Sequence, residues 1–565
     1  MLTTLELIPN RQLLDSNFDG YKLSLQEIPM KKLDFTIPVD RVLLNPQQCS
    51  ILHANLFGYH NHLISDIFDE INSVYYIDKE FNICKIYMDP LQGDLINPLV
   101  VLKLRKNRER QTGDYNASLK FVSSSTAVIG DGIGTLYIIN TGNRNDDDDF
   151  SICFSDEVIG EDSPFLILDA VLKVNNDNQE LHVLALSFKK SKNEKFFTLL
   201  HWISFKKIQD AWEQAAIKQI KTKGCVQYAY IEKNCEAIYV VSDDECGFIL
   251  NSDVPIVEKP VIPVEKVYKW SQNIEDITIK IPLQPDTNKR IIRVDTENTY
   301  IKVKSGEIDL IKGELYQRID PDLTTWTLIQ GLLEISLYKS ETGLMWPELV
   351  KNDHTGEHVV DSCIVEEVHA RLGHLTNESE SMPQCGSTFN SQQVEECDFE
   401  NDKTFTFERL CGKTNSTTHK INLGTNQVLL CANLSPDLVP AVGIRYDVDI
   451  CLWQPHYNET FSITHEGTLL ALGYVQASKQ NRKYTVCPPD MNYAVICETN
   501  GHLFIYRQNR SITNTELRNR TTGRRVQKIA QQQVVNLCNE EIIGIYASNT
   551  TLFLLCEKSI IVLRL

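Results

Sequence analysis

Short apolar runs divided by turn residues recur along almost the whole chain, and this recurrence constrains the fold more than any single motif. The runs are about 5–8 residues long, the length of a strand rather than of a helix. They include Ser73–Ile77, Val100–Leu104, Gly134–Ile139, Leu181–Phe188, Phe197–Ile203 and Ala237–Ser242 in the first half. In the last third they include Val428–Ala432, Tyr493–Cys497, His502–Tyr506, Gly544–Ser548, Leu552–Cys556 and Ile560–Leu565. Many come in pairs. Tyr493–Cys497 ends at Glu498-Thr-Asn-Gly501, and His502–Tyr506 answers it. Asn-Gly is a strong hairpin-turn signal.

Meanders of this kind over 565 residues predict an all-β chain whose main body resembles a β-propeller of about seven blades. The repeat is degenerate and carries no regular Trp-Asp or Gly-His signature, so a pair of β-sandwiches is the alternative. The chain ends on the apolar run Ile560–Leu565, as a propeller would if its last strand closed the ring. Two helices are expected. Gln209–Lys221 combines strong helix formers with spaced apolar residues, and Val359–Leu375 places Cys363, Ile364, Val368 and Leu372 at helical spacing.

Punctuation divides the chain. Asp253–Val264 holds Pro255, Pro260 and Pro263 and reads as an extended linker. Thr376–Glu400 is rich in Ser, Glu and Gln and reads as a flexible loop; the acidic run Asp146–Asp149 reads as a loop tip. The expected organisation is a β-rich part over 1–255, a compact module over 266–352, a helix and linker over 353–400, and a second β-rich part over 401–565.

Charge narrows the partners. The net charge of −19 opposes binding to a phosphate backbone, and the basic stretches Lys103–Arg110 and Arg518–Arg525 are short. No apolar run approaches the roughly 18 residues of a membrane span. The N-terminus lacks a secretory pattern, so a cytoplasmic and nuclear location is expected. The sixteen cysteines form no Cys-x-x-Cys pair and are expected as free, mostly buried thiols; the Asn-x-Ser/Thr sequons then carry no message.

The middle module shows the cleanest alternation. Ile277, Ile279, Ile281 and Leu283 share one strand face; Ile292 and Val294, Ile301 and Val303, and Leu333, Ile335 and Leu337 repeat the pattern. Period-two alternation gives each sheet one buried and one wet face, so six or seven such strands form a small antiparallel sandwich. Trp270, Trp326 and Trp346 are expected as core or rim packing, and Gly313 as a turn or bulge where a side chain would not fit. Lys302 and Lys304 point outward, with Lys312 and Arg318 near them, and are candidates to meet an acidic partner.

The order of elements in this module carries a resemblance. Tyr268-Lys-Trp270-Ser-Gln272, the Ile277–Ile281 strand, Ile311-Lys-Gly313-Glu-Leu315-Tyr316, Thr325-Trp326, Glu334–Lys339 and Met345-Trp346-Pro-Glu-Leu349 together resemble a CS domain of the NudC family. The resemblance implies the sandwich of small co-chaperones of the ninety-kilodalton heat-shock chaperone. It implies a chaperone-associated protein whose clients are WD-repeat or other β-propeller proteins, vesicle-coat components among them, in cytoplasm and nucleus. Tyr268, Trp270, Gly313, Leu315, Trp326 and Trp346 carry its signature.

No catalytic constellation and no cofactor motif stands out. Gly130-Asp-Gly132-Ile-Gly134 is followed by a strand pattern rather than the helix a phosphate loop needs. There is no Gly-x-Ser-x-Gly or His-Glu-x-x-His. His60 and His62 lie close and read as a polar loop rather than a metal pair. The expected function is therefore a non-enzymatic co-chaperone. A scaffold that recruits complexes through the propeller-like body is the alternative; an enzyme would need a deep pocket with convergent polar groups.

Overall fold

The computed structural model describes residues 2–256, 267–359 and 403–565, apart from short stretches inside them, the longest being 45–49, 145–149, 342–345, 512–522 and 524–527. Asp146–Asp149, the helix expected over Val359–Leu375 beyond Val359, the Thr376–Glu400 loop and Arg518–Arg525 apart from Gly523 lie outside the described residues. The chain forms two compact units, Met1–Ile256 with Glu396–Leu565, and Val257–Glu395.

The first unit contains seven sheets among the described residues, each built around antiparallel neighbours. In chain order their inner strands are Ile64–Ser65, Ser118–Phe121, Leu166–Asn175, Val226–Ile231, Val428–Ala432, Arg482–Val486 and Ile542–Ala547. Seven apolar cores lie between consecutive sheets. Tyr75 and Ile83 of the first sheet pack with Leu119 and Ile129 of the second. Leu184 and Trp202 of the third pack with Ile238 and Val240 of the fourth. The last core joins Phe553 and Val562 of the seventh sheet to Tyr76 and Ile86 of the first. A sheet buried on both faces, in a series that returns to its start, is a closed seven-bladed propeller.

Closure differs from the sequence expectation. The last strand, Ser559–Arg564, is the third of its blade, and Met30–Asp34 from the N-terminus adds the outer fourth. The preceding residues form a belt along other blades. Thr3–Leu5 pairs in parallel with the edge of blade four, the Asn10 N–H donates to His465 of blade five, and Tyr21–Leu23 pairs in parallel with the edge of blade six.

The helix expected over Gln209–Lys221 is instead the strand Ala211–Thr222, the fourth of blade three. Trp212, Ala216 and Ile220 are buried at every fourth position, a spacing that suits a helix face; in the strand, a bulge between Gln214 and Ala216 turns Trp212 to the core shared with blade two and Ile220 to the core shared with blade four. Pairing with the long strand Phe196–Ile208 decides between them over helix propensity. The described helices include α1, Ile51–Gly58, capped by the Ser50 hydroxyl, and α2, Leu472–Ala477. No helix among the described residues is long and apolar enough to cross a membrane.

Buried ion pairs lie within blades and between them. The Arg409 guanidinium donates to both Glu232 oxygens, at 2.7 and 3.1 Å, inside blade four. Arg144, from blade two, donates to Asp66 of blade one and to the Ser123 carbonyl. Arg108 and Arg110, in the first basic stretch, are held by Asp114 and Asp40.

Blade four is interrupted. After its second strand, Ala237–Ser242, the chain lays Gly247–Asn251 on the edge of blade three, passes through the second unit, and resumes blade four at Phe405–Cys411. The second unit is a two-sheet sandwich. One sheet has five strands, ordered Ile319–Ile329, Leu332–Lys339, Asp276–Pro282, Tyr268–Gln272 and Gly356–His358; the other is the meander Ile292–Glu297, Tyr300–Ser305, Ile308–Glu314. Its last strand, Gly356–His358, lies past residue 352, where the sequence reading ended the module; three residues are too short to show a period.

Candidate partner-binding surface

The signature residues of the sandwich are spent on its interior. Tyr268, Trp270, Leu315 and Trp346 are buried in one core with Ile279, Ile301 and Ile335, and Trp326 packs half-buried against it. The Tyr268 hydroxyl donates to Asp353 at 2.8 Å, and the Trp270 ring lies 4.3 Å from that of His358. Burial, then the Asp353 carboxylate, raises the Tyr268 pKa. Lys289 sits over the Trp326 ring at 4.8 Å, a cation–π contact.

Gly313 is neither turn nor bulge. It is a regular strand residue opposite Ile301, and a Cβ there would stand 2.4 Å from Val350 Cγ1. The expectation that a side chain would not fit holds, for reasons of packing rather than backbone conformation.

A polar clamp inside the sandwich was not read from the sequence. Gln272 Nε2 donates to the Trp346 carbonyl at 2.7 Å, and Gln272 Oε1 accepts from the Trp346 N–H at 2.8 Å and from Lys339 Nζ at 2.9 Å. Lys339 Nζ also donates to the Asn273 carbonyl, and burial lowers its pKa. The clamp fixes the segment that carries Trp346. Its only sequence signal was a Gln at a strand end, which is equally common in exposed strands.

The outward lysines are brought together, but not alone. Lys302 stands beside Lys312 and opposite Asp295, while Lys304 stands opposite Arg293. Asp309 lies 3.3 Å from the Lys304 ammonium and 4.0 Å from that of Lys312. With Glu297 and Glu314 exposed on the same face, the three-stranded sheet presents mixed charge rather than a basic stripe. Arg318 lies apart, exposed between this sheet and Ile319–Ile329, with its carbonyl accepting from Ser340.

The outer face of the five-stranded sheet is different. Its register aligns Pro282, Leu332 and Ile329 in one row, and Ile329 is 66% and Leu332 40% exposed. The neighbouring rows are polar, with Lys280 and Glu334 paired at 3.8 Å. A three-residue apolar row on a polar sheet is a small contact site of the kind a partner covers.

The propeller has its own concavity. Inner strands and α1 line a channel cavity of about 1580 Å³. The His60 and His62 rings meet edge to face, 4.5 Å apart, and burial pushes the His60 pKa down to about 4. Among the described residues no group of three or more His, Cys, Asp and Glu side chains is placed to hold a metal.

Comparison with known proteins matches the second unit to a family and the whole chain to full-length relatives. The CS domain family matches residues 266–339. NudC domain-containing protein 1 of Mus musculus is 35% identical over 580 residues, covering 98% of this chain and 97% of that protein. Protein BOBBER 1 of Arabidopsis thaliana is 32% identical over 116 residues, 20% of this chain and 37% of its own. The WD40 domain of SCAP from fission yeast aligns over 97% of this chain and 98% of its own at 6% identity and a TM-score of 0.32; the propeller assignment rests on the seven sheets and the cores between them.

Proposed function

Since the chain belongs to the NudC domain-containing protein 1 family, whose mouse relative it matches over nearly its full length, we propose that it acts as a co-chaperone that binds client proteins through its CS sandwich. Its clients are other β-propeller proteins, vesicle-coat components among them, and the ninety-kilodalton heat-shock chaperone is its partner. It works in cytoplasm and nucleus, by surface complementarity and without covalent chemistry.

One observation carries the reading most. The family signature is consumed by the core, so the sandwich is a rigid platform, and its outer faces are left for binding: an apolar row at Pro282, Leu332 and Ile329 and a mixed-charge face around Lys302 and Lys312. Burying such a row contributes affinity, and the charged face selects the partner and speeds encounter.

The test is affinity capture from cell extract with the intact chain, with a chain lacking residues 266–352, and with an Ile329→Ser/Leu332→Ser double variant. Chaperone and propeller proteins are expected with the intact chain, and reduced or lost with the other two. Their undiminished recovery without the sandwich would move the binding platform to the propeller and favour a scaffold.

A further inference from the structure

The channel through the propeller runs against the charge of the chain. The net charge is −19, yet seven lysines and arginines line the channel cavity against three aspartates. Two of these cations are answered by carboxylates, Lys403 by Asp243 at 2.7 Å and Lys483 by Glu541 at 3.1 Å. Lys120, on the inner strand of blade two, has no hydrogen bond or ion pair among the described residues.

Lys120 sits where three other segments converge. Lys120, His60, Asp169 of the inner strand of blade three and Cys431 of the inner strand of blade five all line the cavity. Asp169 is already engaged, accepting the Ile231 N–H at 2.9 Å. Cys431 presents open surface to the channel while protein crowds it, and burial pushes its thiol up to about 12, so it stays neutral. Burial likewise lowers the Lys120 pKa. A cation crowded by protein, whose one carboxylate neighbour, Asp169, is shared with a backbone N–H, is a standing cost that an incoming anion offsets.

Size limits the ligand to something smaller than a folded domain. The cavity of about 1580 Å³ exceeds the 300–1,000 Å³ common for small-molecule sites, and Leu52, Asn55, Leu56 and Tyr59 from α1 and its C-terminal end form part of its wall. A folded partner does not enter such a space. Clustered cations in a low-dielectric concavity raise the local concentration of compact polyanions.

We propose that the channel of the propeller is a binding site for a compact polyphosphate, held by Lys120 and by Lys195, Lys223, Lys233 and Arg482 around it.

The experiment is titration calorimetry on the full chain at low salt. Sodium tripolyphosphate is the probe, with ATP and inositol hexakisphosphate to tell a nucleotide from an inositol source and octaglutamate to tell phosphate from carboxylate. One tripolyphosphate per chain is expected, weakening as salt rises. Lys120→Met is expected to weaken it at least ten-fold without lowering the Tm of the unliganded protein, while Lys280→Gln on the sandwich leaves it unchanged. Lys223→Gln, at an exposed position, provides a second variant that does not disturb the interior. Unchanged affinity in both channel variants would overturn the proposal. So would octaglutamate binding as tightly as tripolyphosphate, or no binding by any of the three phosphate compounds at millimolar concentration.

Discussion

The propeller and the sandwich reach all-β structure by opposite routes. The sandwich is built from one contiguous stretch, residues 267–358, around one core and one polar clamp. The propeller needs both ends of the chain. Residues 3–5 pair with 419–421, and residues 30–34 pair with 559–563. Its stability is spread over seven inter-blade cores, none sufficient alone. Such a ring tolerates an insertion because blade four pairs its second and third strands however long the chain between them, since loop closure entropy grows only slowly with length.

Damage is therefore expected to stay within the unit it strikes. Removing residues 2–34 takes the outer strand from blade seven and the added strands from blades four and six. This is expected to cost roughly 5 kcal/mol or more, on the scale of a domain's whole stability. Calorimetry is expected to show the propeller transition collapsing while the sandwich transition stays. Trp346→Ala empties a buried site beneath the Gln272 clamp and is expected to cost the sandwich about 3–5 kcal/mol, leaving the propeller transition unmoved.

Glu232→Ala does the converse. It leaves Arg409 buried without its carboxylate, at about 3–5 kcal/mol, read as an earlier propeller transition by chemical denaturation. Gly313→Ala drives a methyl into Val350 and is expected to cost the sandwich about 1–3 kcal/mol.

The smallest effect is electrostatic. The Arg41 guanidinium, then Lys483, holds the Glu541 pKa down to about 2, below its ordinary 4.5. A depressed carboxyl stabilises the fold above pH 4.5, and that contribution fades as pH falls towards 2. Glu541 is half exposed, so solvent screening limits it to about 1 kcal/mol. Glu541→Gln is expected to flatten the acid limb of the propeller's stability curve by that amount and to leave the sandwich's curve unchanged.

What the sequence shows clearly is what local pattern controls. The sandwich strands stand out because each has one wet face, so Ile277, Ile279 and Ile281 alternate with polar residues. The hairpin through Asn500-Gly501 stands out because its turn chemistry is specific, and Gly501 takes φ +79°. Ala211–Thr222 misleads because Trp212, Ala216 and Ile220 fall at helical spacing, and the bulge between Gln214 and Ala216 that sends Trp212 and Ile220 to opposite faces of a strand leaves no mark in the pattern. The belt strands Thr3–Leu5 and Tyr21–Leu23 are three residues long and largely exposed, so no period marks them.

The candidate surfaces divide the same way. Outward Lys302 and Lys304 are readable from alternation, but the acids that answer them come from neighbouring strands whose register only the fold supplies. The channel cations were invisible for the same reason, being brought together by different blades.

The most direct test of the co-chaperone reading is light scattering from a purified β-propeller client held at its unfolding temperature, with the intact chain, the chain lacking residues 266–352, or the Ile329→Ser/Leu332→Ser variant added at equal concentration. Suppressed aggregation by the intact chain, and loss of suppression in the other two while their propeller transition stays intact, is the expected result. Equal suppression by the chain without its sandwich would contradict it.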